Sequence, residues 1–115
     1  MKLSERRVGT IVVLDLVGKV TLTDNPGRLK EKITSLVAHG ETNIVLNLAQ
    51  VNYIDSSGLG ELVACHTTAW RGGATVKLAN NGRRVWDLLV LTKLVTIFDC
   101  YNSEAEALES FAVTA

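Results

Sequence analysis

The stretch that decides the fold reads NIVLNLAQVNYIDSSGLG and spans residues 43–60. Its apolar run, Ile44–Leu48, predicts a buried strand, and a short polar loop follows. An acid, two hydroxyls and a glycine then precede a segment with apolar residues at helical spacing. This order places Ser56 and Ser57 at or beside a helix N-terminus, where free N–H groups and the positive end of the helix dipole meet solvent. Any chemistry of the chain is expected there.

Composition predicts one ordinary globular domain over residues 1–115, with 47% apolar and 21% charged residues. The 12 basic and 12 acidic side chains are scattered, without the basic patch or run that nucleic acid or a lipid surface would need. No segment has the length of a membrane span. Cys65 and Cys100 form no metal-ligand or redox motif, so no metal or cofactor is expected, and two free thiols favour the cytoplasm.

The residues before this stretch predict two strands and a helix. Residues 1–9 alternate weakly, as an edge strand does, and Thr10–Val17 is a β-rich run that Gly18 is expected to end. Lys19–Asp24 is polar and predicts a loop. Asn25-Pro26 then predicts a helix N-cap and first helical residue, and Gly40 a C-cap. Its apolar stripe is Leu29, Ile33, Leu36 and Val37.

The residues after it predict helices alternating with strands. A second helix is expected to end at Gly72-Gly73, and one of its sides carries Leu59, Leu62, Val63, His66 and Trp70. Thr75–Ala79 predicts a strand and residues 80–82 a turn. A third helix then carries Val85, Leu88, Leu89 and Thr92.

The last elements predicted are a short strand and a fourth helix. Val95–Phe98 is β-branched and short, as a strand would be. Ser103 followed by Glu106 is a capping box, with Leu108 and Phe111 on the buried side of the helix that it opens. The sum predicts an α/β fold, a small mixed sheet with about four helices packed mainly on one face.

The hexapeptide at residues 55–60 resembles the STAS family, the bacterial anti-anti-sigma factors and their relatives. The resemblance extends over the whole chain in order and spacing. It includes Ile44–Leu48 with Val51, Tyr53 and Ile54, then Gly72-Gly73, VWDLL at 85–89 with Leu94, Ile97-Phe98, and SEAEAL at 103–108. This resemblance implies a STAS-type fold and a binding protein, not an enzyme.

In that family the function is a switch by partner exchange. The resemblance implies that the unmodified protein binds an anti-sigma factor, which is also a serine kinase, and so frees a sigma factor. The kinase would phosphorylate Ser56, less readily Ser57, and a phosphatase of the PP2C type would reverse it. The partner-binding residues implied are Asp55, Ser56, Ser57, Gly58, Leu59, Gly60, Thr21 and Thr23.

Each of these residues also has a plainer interpretation. A serine before a helix is most often only a cap, and Ser57 is the expected cap here. Asp55 either orients the hydroxyl or the partner surface, or simply caps the turn. Gly58 and Gly60 either admit a partner's backbone or serve loop geometry.

Four further residue types invite functional interpretations that the pattern does not favour. Cys65 and His66 are adjacent on a helix and point about 100° apart, so a packed thiol and a half-buried imidazole are expected. Both tryptophans are expected in the core or at its rim. The arginine pair before the third helix is expected on a solvated face, though it could meet acidic partner residues. These residues are Trp70, Trp86, Arg83 and Arg84.

Two other classes of function stay open. Two positions that are acidic in the family are Lys19 and Thr21 here, which would suit a partner of different charge. They would also suit a STAS subunit that is not phosphorylated and serves a signalling or transporter complex as a scaffold. A small enzyme or a phosphoacceptor of response-regulator type would need acids clustered at strand ends to hold a metal, whereas Asp15, Asp55 and Asp99 are dispersed in the sequence.

Overall fold

The computed structural model describes residues 1–21 and 27–112. The strands are β1 (Lys2–Val8), β2 (Ile11–Val20), β3 (Asn43–Ile54), β4 (Thr75–Ala79) and β5 (Asp99–Tyr101). The helices are α1 (Arg28–Ala38), α2 (Ser56–Arg71), α3 (Gly82–Leu91) and α4 (Glu104–Ala112). A 3₁₀ turn covers Leu94–Thr96.

The described strands form one five-stranded mixed sheet in the order β1-β2-β3-β4-β5. β1 pairs antiparallel with β2, and every later neighbour pairs in parallel. Parallel neighbours cannot be joined by a tight turn, so a helix crosses between each pair: α1, α2 and α3 in turn. The carboxyl ends of β2 to β5 therefore share one edge of the sheet, and helices begin from that edge.

Two unequal cores cover the two faces of the sheet. The larger core joins alternate residues of β2 and β3 to the apolar stripes of α1, α2 and α3. The smaller core lies on the other face, where Val13 and Val45 meet Ala107, Leu108 and Phe111 of α4. The prediction of helices packed mainly on one face is confirmed, as is the buried side of α4.

Strand lengths were predicted too short around the central pair. Gly18 does not end β2; it adopts φ +101° at an irregularity in the register, and the strand continues to Val20. β3 likewise runs on through polar residues to Ile54, which pairs with Val20. The two strands satisfy each other's backbone over this length, and that overrides the polar side chains. Thr21 is a bend, and Thr23, Asn25 and Pro26 lie outside the described residues.

Two further predictions were wrong. Val95–Phe98 is not a strand: a 3₁₀ turn lets Phe98 enter the larger core, and the next three residues pair with β4 as β5. Trp70 is neither core nor rim, since it is 75% exposed while its neighbour Ala69 is buried. The apolar stripe of α2 ends one residue earlier than the spacing suggested.

Candidate functional site

The paired ends of β2 and β3 hold the start of α2. Ile54 is the register partner of Val20, and the Asp55 N–H donates to the Val20 carbonyl oxygen at 3.4 Å. Thr21 and Asp55 follow directly on these neighbouring strands, so the structure brings these two predicted site residues together.

Asp55 is the N-cap of α2. Its Oδ1 accepts from the Gly58 N–H at 2.8 Å, and its carbonyl oxygen accepts from the Leu59 N–H at 2.9 Å. A carboxylate fits here because the N–H groups and the dipole of the helix both favour negative charge. The prediction that Ser57 is the cap was wrong, and of the two interpretations of Asp55 the structure shows the cap.

Ser56 and Ser57 are the first two residues of α2, and both are exposed. Their surroundings one turn along the helix differ. Gly60 follows Ser56 at i+4, and apart from its chain neighbours and the nearby backbone of α2, no described atom lies within 4 Å of the place where a Gly60 Cβ would stand. Glu61 follows Ser57 at i+4. The residue one turn beyond Ser56 therefore has no side chain, whereas the residue one turn beyond Ser57 is acidic.

Glu61 has a structural task of its own. Its Oε2 accepts from the Leu29 N–H at 3.0 Å and from the Lys30 N–H at 3.2 Å, both in the first turn of α1. The N-cap residue of α1 is Gly27, which has no side chain to offer. A residue of α2 therefore caps α1 and ties the two helices together.

Gly58 is where α2 contacts β2. A Cβ at this position would lie 1.9 Å from the Val20 carbonyl oxygen and 2.7 Å from the Val20 carbonyl carbon. The close backbone approach that a glycine permits is thus made within the chain. Gly58 and Leu59 are both buried, so in this conformation neither offers a surface to another molecule.

The adjacent thiol and imidazole of α2 are not a catalytic pair. Burial raises the pKa of the Cys65 thiol to about 12, and the nearby Glu61 charge adds to the rise. The half-buried His66 packs edge-on against Phe98, with ring centroids 5.5 Å apart. The interpretation of a packed thiol and a half-buried imidazole is confirmed.

The dispersed acids stay apart in the fold. Asp15 pairs with Arg6, whose Nε lies 2.6 Å from its Oδ2. Over residues 1–21 and 27–112, no three His, Cys, Asp or Glu side chains lie close enough together to hold a metal ion.

A second feature at the same edge of the sheet was not singled out by the sequence. An open crevice lies where β4 and β5 end, between Asn80–Arg83, Trp86 and Tyr101. The signal in the sequence is Asn80-Asn81-Gly82, followed by two arginines, at a helix start without an acid. From the sequence, this signal predicts a turn and a solvated arginine pair that could meet acidic partner residues, and no crevice.

Comparison with known families decides the assignment. The family model described as the STAS domain matches residues 3–107. The chain belongs to the STAS domain family. A curated relative, the anti-sigma-B factor antagonist of Bacillus subtilis, is 30% identical over 88 residues. The aligned residues cover 76% of this chain and 79% of the relative.

Solved structures share the fold. A candidate anti-sigma factor antagonist from Thermotoga maritima superposes with a TM-score of 0.85 at 25% identity, covering 94% of this chain and 92% of that one. The unphosphorylated form of the Bacillus antagonist SpoIIAA superposes with a TM-score of 0.71 at 19% identity, covering 96% of this chain and 98% of that one. Its phosphorylated form gives 0.73 at 20% identity, with 96% and 99% coverage.

The STAS fold also occurs outside such antagonists. A sulfate transporter family protein from Wolinella succinogenes has a TM-score of 0.74 at 13% identity, covering 92% of this chain and 88% of that one. At this identity only the fold is shared. Among the described helices of the present STAS domain, none has the length and apolar character to span a bilayer.

Proposed function

We propose that this STAS domain is an anti-sigma factor antagonist, a binding module without enzymatic activity that is switched by phosphorylation of Ser56. The curated relative and the Thermotoga maritima structure, both named as antagonists, support the general role. The observation that carries the switch is local. Ser56 is an exposed hydroxyl at the first residue of α2, with open space one turn further on.

A phosphate at Ser56 would change docking without refolding the domain. It adds roughly 1.5 to 2 negative charges at neutral pH. The N-terminal end of α2 stabilises that charge in the free protein. In a complex the same charge would lie beside Asp55 and lose its water, which is unfavourable unless the partner supplies a cation. Phosphorylation is therefore expected to weaken binding while the fold persists.

The neighbours of the two serines favour Ser56 as the modified residue. A phosphate on Ser57 would stand one helical turn from Glu61, and like charges at this spacing repel. It would also disturb the carboxylate that caps the first turn of α1. Ser56 has Gly60 in the corresponding place, so its phosphate meets neither problem.

The docking surface proposed is the start of α2 with the adjacent end of β2. Ser56, Ser57 and Gly60 are exposed there. Asp55 and Thr21 complete the contact region, whereas Gly58 and Leu59 hold it in position from beneath. The family resemblance adds Thr23, which lies outside the described residues. The partners proposed are an anti-sigma factor with serine kinase activity and a PP2C-type phosphatase, in the cytoplasm.

The charge beside this surface indicates what the partner presents. Lys19 is exposed and is the register partner of Tyr53, and the Arg84 guanidinium lies 5.5 Å from the centroid of the Tyr53 ring. Two cations therefore flank the start of α2, and an acidic partner surface would complement them. A phosphate on Ser56 would offset this positive potential as well.

The experiment uses the kinase encoded nearest to this gene. The protein is incubated with that kinase and ATP, and the modified residue is located by mass spectrometry. We expect one phosphate on Ser56, lost in Ser56→Ala and kept in the matched control Ser57→Ala. Calorimetry should show that unmodified protein and Ser56→Ala bind the kinase, and that the phosphoprotein binds at least tenfold more weakly. Modification of neither serine, together with no complex, would refute the proposal.

A second candidate is a scaffold subunit that is never phosphorylated. The exposed Lys19 favours it, because the family has an acid at this position near the switch serine. Light scattering on the purified protein distinguishes the two roles. A stable monomer that accepts phosphate supports the switch, whereas a defined multimer that resists the kinase supports the scaffold.

A further inference from the structure

An open groove of about 600 Å³ lies beside the proposed docking surface, between the end of β3 and α3. Tyr53 and Ile54 line it from β3, and Leu88 and Leu91 line it from α3 together with charged side chains of that helix. Tyr53 precedes Ser56 by three residues, and three residues of extended chain span at most about 10 Å. A protein bound at Ser56 can therefore also contact this groove.

The apolar lining of the groove is not used by the fold. The buried residues of α3 are Val85 and Leu89, which pack into the larger core. Leu91 lies away from them and is 79% exposed, and Tyr53 on the other side of the groove is 41% exposed. Single exposed apolar residues are common, but apolar residues gathered in one groove with a polar rim are typical of a protein–protein interface.

The rim of the groove is positively charged. Arg83 and Arg84 line it with one carboxylate, that of Asp87, which lies 3.7 Å from the Arg83 Nε and offsets that charge in part. The Arg84 guanidinium lies 5.5 Å from the centroid of the Tyr53 ring, and Lys19 is the register partner of Tyr53. Three cations and one carboxylate leave a net positive charge here, which an acidic partner complements.

We propose that this groove selects the partner, by receiving a segment of the anti-sigma factor that carries a large apolar side chain next to an acidic one. The apolar side chain packs between Tyr53 and Leu91. The acid pairs with the Arg84 guanidinium, which its contact with the Tyr53 ring holds at the rim. A second copy of this chain fits less well, because docking groove to groove would bring like charges together.

This inference rests on the proposed function, since the same partner contacts Ser56, and it adds the residues that choose the partner. The two parts of the surface have separate roles. The groove contributes affinity through apolar contact and charge, whereas Ser56 carries the modification that opposes docking.

A pair of neighbouring variants in α3 tests the apolar contact. Calorimetry with the kinase encoded nearest to this gene should show at least tenfold weaker binding for Leu91→Ser. Val90→Ser is the matched control, because Val90 is 49% exposed in the same helix but does not line the groove, and its affinity should stay within about twofold of the parent. Equal affinities of the two variants would overturn the proposal. A dimeric parent that becomes monomeric in Leu91→Ser, seen by light scattering, would also overturn it, because the groove would then bind a second copy.

The salt dependence of binding tests the charge. Arg84→Gln should bind about fivefold more weakly at low salt, and its affinity should depend less on salt concentration than that of the parent. Arg71→Gln, at the exposed other end of α2, should keep both values of the parent. An unchanged salt dependence in Arg84→Gln would contradict a partner with an acid at the rim.

The kinetics of phosphate transfer separate this inference from the proposed function. In Leu91→Ser the KM for the protein substrate should rise at least tenfold while kcat stays within about twofold, because the groove does not include the Ser56 hydroxyl. If the parent binds the kinase and accepts phosphate on Ser56 but Leu91→Ser behaves in the same way, the groove assignment alone fails. If the parent forms no complex and accepts no phosphate, the proposed function fails and this inference fails with it.

Discussion

The helices α2 and α3 both start at the same edge of the sheet, but they differ in whether a side chain caps their first turn. At α2 the Asp55 carboxylate takes up the Gly58 N–H, and Gly58 lies against the Val20 backbone. At α3 no described side chain caps the first turn, and the adjacent Asn81 has no hydrogen-bond partner among the described residues. We call the start of α2, which the Asp55 side chain caps, the closed start, and the start of α3, which no described side chain caps, the open start.

This difference separates two kinds of recognition. Where the chain satisfies its own helix start, what remains at the surface is side chains, here Ser56 and Ser57, which suit a protein partner or a modifying enzyme. Where no side chain caps a helix start, its backbone N–H groups stay open to solvent or to an approaching anion. Five predictions test the contrast, from the largest expected effect to the smallest.

Gly58→Ala should be the most damaging single change at the closed start. A Cβ 1.9 Å from the Val20 carbonyl oxygen forces the backbone of α2 or β2 to move. We expect a loss of about 3 kcal/mol in the free energy of unfolding, measured by urea denaturation. The matched control is Gly60→Ala, where the space is open and removal of a helical glycine should stabilise by about 0.7 kcal/mol. Equal effects of the two changes would mean that α2 does not approach β2 this closely.

The two thiols should report the same contrast in reactivity. Cys65 lies on the buried side of α2, the helix of the closed start, and its pKa is raised to about 12, so little thiolate forms at pH 8. Cys100 lines the open crevice and is only half-buried. We expect iodoacetamide to modify Cys100 roughly a hundredfold faster than Cys65, followed by mass spectrometry, because the thiolate is the reacting species. Similar rates for the native protein would contradict the burial of Cys65.

The raised pKa of Cys65 also sets the sign of an alkaline effect on stability. In the unfolded chain the thiol ionises from about pH 8.5, while in the folded protein it stays protonated up to about pH 12. The unfolded state therefore releases its proton first, and the free energy of unfolding should fall as pH rises through this window. Cys65→Ala should show a shallower decline between pH 8.5 and pH 10 than the parent, as followed by thermal unfolding.

Asp55→Ala should have an intermediate effect. It removes the acceptor of the Gly58 N–H and the charge at the start of α2, for a loss of about 1 kcal/mol. Ser103→Ala is a matched cap variant, since the Ser103 Oγ accepts from the Glu106 N–H at 3.1 Å, and it should lose a similar amount. Thermal unfolding of the three proteins checks this. A loss at Asp55 well below that at Ser103 would mean that the closed start is not held by its cap.

Asp87→Asn should have the smallest effect. Its ion pair with Arg83 is long, at 3.7 Å, and both side chains are largely exposed. Such pairs contribute little, so we expect a change of less than about 0.3 kcal/mol in the free energy of unfolding. A larger loss would show that Arg83 is committed to Asp87 and is less available at the open start.

The sequence predicted the elements of the fold better than their ends. Periodicity located α1, α2 and α3 because their apolar stripes are set by packing on the sheet. The same pattern predicted that β3 ends at Leu48, because the following residues are polar. Backbone pairing with β2 nevertheless extends the strand to Ile54. Pairing between distant segments has no local signature, and this is also why the strand at Asp99–Tyr101 was placed four residues early.

The candidate site was predicted in position but not in its details. The acid and hydroxyls at residues 55–57 marked a helix start. Which of their side chains accepts from the Gly58 N–H depends on local geometry, and it is Asp55 rather than the predicted Ser57. The crevice could not be foreseen, because it arises from α3 and α4 departing to opposite faces of the sheet. Asn81 carried no sign in the sequence that its amide would be buried without a partner.

The carboxylate of Glu61 also has a consequence for the order of folding. The first turn of α1 receives its N–H acceptor from α2, a segment that comes later in the chain. Until α2 has docked, the beginning of α1 has only water to bond, and an isolated short helix is barely stable. We therefore expect the first turn of α1 to form fully only after α2 has docked, so a nascent chain that ends before Glu61 should carry an α1 that is frayed at its start.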